Sequence, residues 1–222
     1  MAKEGAIYLV PKSCTDLGIW AILLSRQKEL RLNSLKTSPE SFSSTYEREV
    51  TFSDKQWEAR LMNPLAFTFA AVTRQATDSH PTADGLKEIV ENEWVGQAVL
   101  VGPIHRTPAP ADSGQTNSDL ESGATDFLHF DIHGLYVLPW ARGFGLGKQL
   151  MRAAVSHARS LSQQAGAKDV IVRVSVVASN SQALALYKGL GFQTLEPEES
   201  KSATEGIGRH VLNMELHGAA PL

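Results

Sequence analysis

Three glycines at alternate positions, Gly143, Gly145 and Gly147, stand between the apolar run "LYVLP" and a stretch with helical apolar spacing. No other feature of the chain restricts its fold as tightly. Glycine reaches backbone conformations closed to other residues and lets one backbone come close to another group. A strand, a glycine turn and a helix in this order leave the first helical N–H groups unpaired, and the helix dipole makes that end attract anions. Arg142 and Lys148 add positive charge on the two sides of the turn. The competing reading is structural: the glycines would only admit a helix close against a sheet.

Two nucleotide loops fail here at defined positions. A phosphate-binding loop of the form Gly-x4-Gly-Lys-Ser/Thr needs a glycine five residues before its last glycine and a hydroxyl after its lysine. The chain has Arg142 and Gln149 at those places. The dinucleotide fingerprint Gly-x-Gly-x-x-Gly needs its third glycine one residue later, where Lys148 stands. A pyrophosphate held by first-turn amides remains compatible with the residues.

Around the turn the pattern alternates between strands and helices. "AIYLV" (residues 6–10) reads as a first strand, and Leu17 to Leu35 has helical apolar spacing with Asp16 as its cap. "SDKQWEARLMN" reads as a second helix with a capping-box spacing of Ser53 and Gln56. Residues 65–74 and 93–102 read as strands, and "FLHFDIHGLYVLP" as a long one. A helix is expected from Gly143 to about Ala165, then the strand "DVIVRVSVVA", a short helix from Ser179 and Asn180, and two closing strands. The order β-α-α-β-β-β-α-β-α-β-β predicts an α/β fold with a mixed sheet. Two polar segments, at about 75–92 and 107–126, read as insertions in hairpins of one domain spanning residues 1–222, because strand patterns flank both.

Composition narrows the class. The formal net charge of −3 and the lack of a basic tract argue against nucleic acid as a partner. Cys14 is the single cysteine, so an intrachain disulfide is impossible, and no Cys/His spacing resembles a zinc site. The N-terminal residues do not read as a signal peptide and no apolar run has membrane-spanning length. The expectation is a soluble protein of the cytoplasm, with the nucleus left open, as a monomer or homodimer.

"VLPWARGFGLGKQLM" resembles the acyl-CoA-binding motif of the GNAT superfamily of acyl-CoA-dependent N-acyltransferases: an Arg/Gln-x-x-Gly-x-Gly/Ala turn after a strand ending in apolar-x-Val-x-Pro. "NSQALALYKGLGF" (residues 180–192) resembles the family's second motif, an Asn at a helix start followed by Ala, Leu-Tyr and Gly-Phe. The close resemblance covers about Phe127 to Phe192.

The resemblance implies a mixed, mostly antiparallel sheet with helices on both faces, splayed between the strand before the glycine turn and the next strand. It implies acetyl-CoA as co-substrate, with Leu135, Tyr136 and Val137 contacting the pantetheine arm through their backbone. Arg142, Gly143, Phe144, Gly145, Leu146, Gly147 and Lys148 would hold the pyrophosphate, and Asn180 would contact the cofactor arm besides capping its helix. Val137 would also offer a backbone N–H to the thioester carbonyl. Tyr187 is expected to donate a proton to the departing thiolate, since a phenol is neutral at neutral pH. No metal is implied.

The general base is left open by the residues. Some relatives carry a glutamate on the second motif's strand where this chain has Ser175, a poor base. In "HFDIH", His129, Asp131 and His133 alternate and so share a strand face. Asp131 stands where some histone-type relatives carry a basic carboxylate, and His133 is of the one residue type whose unperturbed side chain changes charge near neutral pH.

The acceptor is expected to be the primary amine of a small molecule, attacking the thioester directly in a ternary complex. A protein N-terminus or lysine is the alternative, and an acyl-CoA-binding sensor without catalysis the third reading. Tyr46, Glu47, Glu49, Phe52 and Trp57 read first as a solvated helix face, and alternatively as an amine pocket in which the acids favour a cation.

Overall fold

The computed structural model describes residues 3–75, 85–104, 127–195 and 210–218. Strand β1 (Lys3–Leu9) leads into helix α1 (Leu17–Thr37). Asp16 caps α1, its Oδ1 accepting from the backbone N–H groups of Gly18 at 2.8 Å and Ile19 at 3.0 Å. A 3-10 turn (Pro39–Ser41) follows, then the short α2 (Tyr46–Glu49) and α3 (Asp54–Met62). The backbone N–H of Ser53 donates to Gln56 Oε1 at 2.8 Å, as the capping-box spacing predicts.

Beyond α3 come β2 (Ala66–Gln75), α4 (Gly85–Glu91), β3 (Trp94–Ile104) and β4 (Phe127–Val137). A second 3-10 turn (Pro139–Ala141) precedes α5 (Leu146–Gln164), followed by β5 (Asp169–Val177), α6 (Ser181–Lys188), β6 (Gln193–Thr194) and β7 (Val211–His217).

The strands form one sheet in the order β1-β2-β3-β4-β5-β7-β6. Every pairing is antiparallel except β4 with β5. A parallel pair needs a long crossover, and α5 supplies it. Leu150, Met151, Ala154, Val155 and Ala158 of α5 are fully buried against the sheet. The opposite face is covered by α1 and α3. Side-chain alternation along β3 divides the two faces: Gly96 lies against Leu150 of α5, while Gln97 turns toward α1.

Three expectations shift. The helix after the glycine turn starts at Leu146, not Gly143, because Gly143 (φ 86°) and Gly145 (φ 76°) occupy the left-handed region that a right-handed helix excludes. Residues 85–91, expected to be part of a polar insertion, form α4, which buries Glu88 and Ile89. The short α2 also went unread, its four residues being too few to show a period. The insertion expected at 107–126 lies outside the described residues.

The central strands part company at one end. Pairing between β4 and β5 runs from Phe127–Asp169 to Ile132–Val174 and stops. Both strands continue, β4 to Val137 and β5 to Val177, still paired to their outer neighbours at Gly96 and Val211. A bulge accompanies the parting: Gln97 and Val99 of β3 face Tyr136 and His133 of β4, so β4 holds one extra residue there. Gly134, with φ 62°, supplies the left-handed conformation the bulge requires.

Candidate active site

The gap between β4 and β5 opens into a cavity of about 640 Å³. Three segments that are distant in sequence wall it. Leu135, Tyr136 and Val137 form the edge of β4 left without a β5 partner. Residues 141–148, less Phe144, form the turn and the first residues of α5. Asn180 and its neighbours close the side after β5. Of the residues expected to hold a cofactor, Phe144 alone is absent from the wall; it is 61% exposed.

The start of α5 has no side-chain cap, its N-cap being Gly145, and the first helical bond is Gln149 N–H to Gly145 O at 3.0 Å. The first-turn amides therefore have no intrahelical acceptor. The packing explanation for the glycines fails. A Cβ at Gly143 would meet nothing within 4 Å, one at Gly145 would lie 3.9 Å from Gln149, and one at Gly147 would make ordinary contact with Leu186 at 3.5 Å. Backbone conformation, not crowding, requires glycine at 143 and 145.

Arg142 folds back onto the strand, donating Nε–H to Val137 O at 3.0 Å with its guanidinium 5.8 Å from the Tyr136 ring centre. Tyr136 is fixed in turn by a 2.7 Å hydrogen bond between its hydroxyl and that of Thr37, at the end of α1. Asn180 caps α6, Oδ1 accepting from Ala183 N–H at 3.1 Å, while Nδ2 donates to Ser41 Oγ at 3.2 Å. That second bond brings the 3-10 turn across the gap, and Ser38, Glu40, Ser41 and Phe42 join the wall. Sequence reading did not place these residues in the site; a contact across 139 positions has no local signature.

Tyr187 lies on α6, next in sequence to the lining residue Leu186, and does not itself line the cavity. It is 7% exposed, and its ring centre is 5.9 Å from that of Phe192. Burial pushes its phenol up to about 12, so it holds its proton throughout the neutral range.

A second cavity, of about 350 Å³, lies under α1 and α3 on the same sheet face. It shares β4 with the first, taking His133 and Gly134 where the first takes Leu135 to Val137. Asp131 has the same face but stands one pleat further back, opposite Val101 on β3 and Arg173 on β5, and does not line either cavity. Ser175 donates its hydroxyl to Asn213 Oδ1 at 2.7 Å.

The alternative of an acidic amine pocket at Glu47 and Glu49 fails at Glu49, which is also not on a solvated face. Glu49 is 1% exposed and bound by Arg31 (Nε 3.0 Å, Nη2 2.8 Å) and Arg60 (Nη1 2.8 Å). Burial pushes its carboxyl up, but hydrogen bonds from Arg31, Arg60 and Ser44 outweigh that and hold it at about 2. Of the five residues expected there, Trp57 alone lines the second cavity. Among the described residues, no group of three or more His, Cys, Asp or Glu could hold a metal ion, and no helix is long and apolar enough to cross a membrane.

Residues 87–192 match the sequence model of the Acetyltransferase (GNAT) family. No curated protein matches the chain in sequence. Among solved structures, Arabidopsis thaliana NAA60 in complex with acetyl-CoA is similar, at 15% identity and a TM-score of 0.54 over 96% of this chain and 98% of that one. A GNAT-family acetyltransferase from Streptococcus pneumoniae aligns at 16% identity and a TM-score of 0.53 over 96% and 99%. The ribosomal-protein-S18-alanine N-acetyltransferase from Escherichia coli aligns at 14% and 0.51 over 98% and 96%. The structural likeness concerns the fold, and the sequence match covers the strand, glycine turn and helices that wall the first cavity: residues 87–192 carry the sequence pattern of the Acetyltransferase (GNAT) family.

Proposed function

We propose that the protein transfers an acetyl group from acetyl-CoA to the primary amine of a small molecule, by direct attack while both substrates are bound. The carrying observation is the first cavity, where an unpaired strand edge, an uncapped helix start and the Asn180 turn converge. These residues fit the cofactor. The free edge of Leu135 to Val137 offers backbone groups to the amide-bearing pantetheine arm. The amides of residues 146–148, with the Lys148 ammonium, offer donors and positive charge to a pyrophosphate. When bound, acetyl-CoA supplies an acyl group activated as a thioester.

The amine nitrogen bonds to the acyl carbon as the carbon–sulfur bond breaks; one proton leaves nitrogen and one joins sulfur. Tyr187 is the donor to sulfur, supported by its neutral phenol and its place on α6, whose Ala183 and Leu186 line the cavity. His133 and Asp131 are the candidates for taking the nitrogen's proton. The geometry favours His133, which lines the cavity next to the cofactor strand. A volume of about 350 Å³ suits a small acceptor. A protein N-terminus or lysine is the rival acceptor.

Thiol release with mass detection across amino acids, polyamines, aryl amines and peptides tests the reading. Acetylation of a small amine in preference to peptides is expected; preference for peptides replaces the acceptor, and tight acetyl-CoA binding without turnover on any amine makes the protein a sensor. Tyr187→Phe is expected to lower turnover about a hundredfold or more with little change in acetyl-CoA affinity. Unchanged turnover removes the general-acid role.

A further inference from the structure

The second cavity contains an unmet chemical demand. Among the described residues, buried side-chain atoms without a hydrogen-bond partner include Gln27 Oε1, Gln97 Oε1 and Trp57 Nε1, and all three residues line this one cavity. They are 6%, 3% and 2% exposed. A buried polar atom costs folding free energy unless a ligand or water meets it. Gln27 occupies the apolar face of α1 between Leu23 and Leu30, and Gln97 the middle of an otherwise apolar strand. Leucine would fill either place without that cost.

The charges around the cavity have one sign left over. Its wall holds Arg31 and Arg60 and, among the described residues, no carboxylate. Glu49 behind them neutralises one of the two cations. Arg31 gives Nε and Nη2 to Glu49 and keeps Nη1, which lies 3.9 Å from where a Cβ on Gly134 would stand, at the β4 bulge. Arg60 gives Nη1 and stacks on the rings of Phe52 and Trp57, at 4.8 and 5.0 Å. Both guanidinium groups are thus held in place before any ligand arrives, which favours binding of a planar anion. A polyamine would set further positive charge against them. Apolar surface from Trp57, Val99 and Val101 completes the wall, and His133 lines it from β4, two residues before Leu135.

We infer that this cavity is the acceptor pocket, built for a small amine that also carries a carboxylate, the amino-acid class. The carboxylate meets Arg31 and Arg60, Gln27 and Gln97 accept from the ammonium or hold its ordered water, and the amine is presented past His133. This rests on the acetyl-transfer reading above and narrows its acceptor.

The test uses matched pairs on the full chain: L-phenylalanine against phenethylamine, and L-leucine against isopentylamine. Both acetylation and calorimetric binding in the presence of CoA are measured. The carboxylate member of each pair is expected to be favoured roughly ten- to hundredfold, the range of one charge-assisted hydrogen bond. Gln27→Leu and Gln97→Leu are expected to raise KM for the amino acid about tenfold with Tm unchanged or higher, since each replaces an unpaired buried atom. A merely structural role would lower Tm and leave KM alone. Arg60→Lys, which keeps a cation for Glu49, is expected to lose most of the carboxylate preference. Equal turnover or equal binding within the pairs, or Gln97→Leu with unchanged KM, overturns the inference while leaving acetyl transfer intact. If no amine is acetylated, transfer falls, and the calorimetric arm alone decides the pocket: no preference for the amino acid overturns it.

Discussion

At Glu49 a carboxylate sits out of water between two guanidinium groups. Removing one partner of a buried ion pair leaves the others uncompensated, so Glu49→Gln is expected to cost about 3–5 kcal/mol in urea unfolding at neutral pH. The pH dependence has a definite sign. The folded-state value near 2 lies below the ordinary 4.5, so the unfolded chain binds the proton first on acidification. The stability contributed by Glu49 is present above pH 4.5 and lost as pH falls through 2. Urea midpoints at pH about 3 against neutral pH should fall in the wild type and less in Glu49→Gln. His157 works in the same direction higher up. It lies on α5 with its ring centre 4.5 Å from that of Phe67 and 5.8 Å from that of Phe69, and Nε2 has no partner among the described residues. Burial, then the charge of Lys12, lowers it from 6.5, so the native state resists a proton that the unfolded chain takes up. Stability is expected to decline as pH drops below 6.5, and His157→Phe to flatten that decline in thermal melts. Neither effect is legible from sequence, because Glu49, Arg31 and Arg60 stand on different helices and His157 shows only as one residue of an amphipathic pattern.

The strand–turn–helix from β4 to α5 is the element that carries the cofactor proposal. With φ 76° at Gly145, a β-branched residue there takes a strained conformation and sets a side chain at the mouth of the helix amides. Gly145→Val is expected to destabilise the fold by about 1–2 kcal/mol and to raise the Kd for acetyl-CoA more than tenfold by calorimetry. A variant that binds normally would remove the pyrophosphate role from this turn. The turn's identity was legible because its glycines answer to backbone sterics inside a few residues. The helix start was misplaced by three residues for the same reason, since both left-handed glycines precede the first residue that can be helical. Helix α4 was missed because its 7 residues, about two turns, with Leu86, Ile89 and Val90 as apolar residues, are too few for a period to stand out from the polar residues around it.

Over the whole molecule, the parting of β4 from β5 makes a binding cleft from an otherwise continuous sheet. A ligand that pairs with the exposed edge should protect it. Acetyl-CoA at a hundred times its Kd is expected to add about 2.7 kcal/mol to unfolding. Hydrogen exchange should slow at amides of residues 135–137, and unchanged exchange there would argue against backbone pairing by the pantetheine arm. By itself, the sequence determined the local elements: the Asp16 cap, the buried face of α5, the glycine turn and the order of the strands and of the helices other than α2 and α4. Those depend on sterics and apolar spacing within one segment, which neighbouring residues carry in full. The tertiary structure alone decided where β4 and β5 separate, that Ser41 reaches Asn180 across the gap, and that Glu49 neutralises an arginine instead of facing a substrate. Each of these is a choice among partners far apart in the chain, settled by which groups folding leaves within reach of one another.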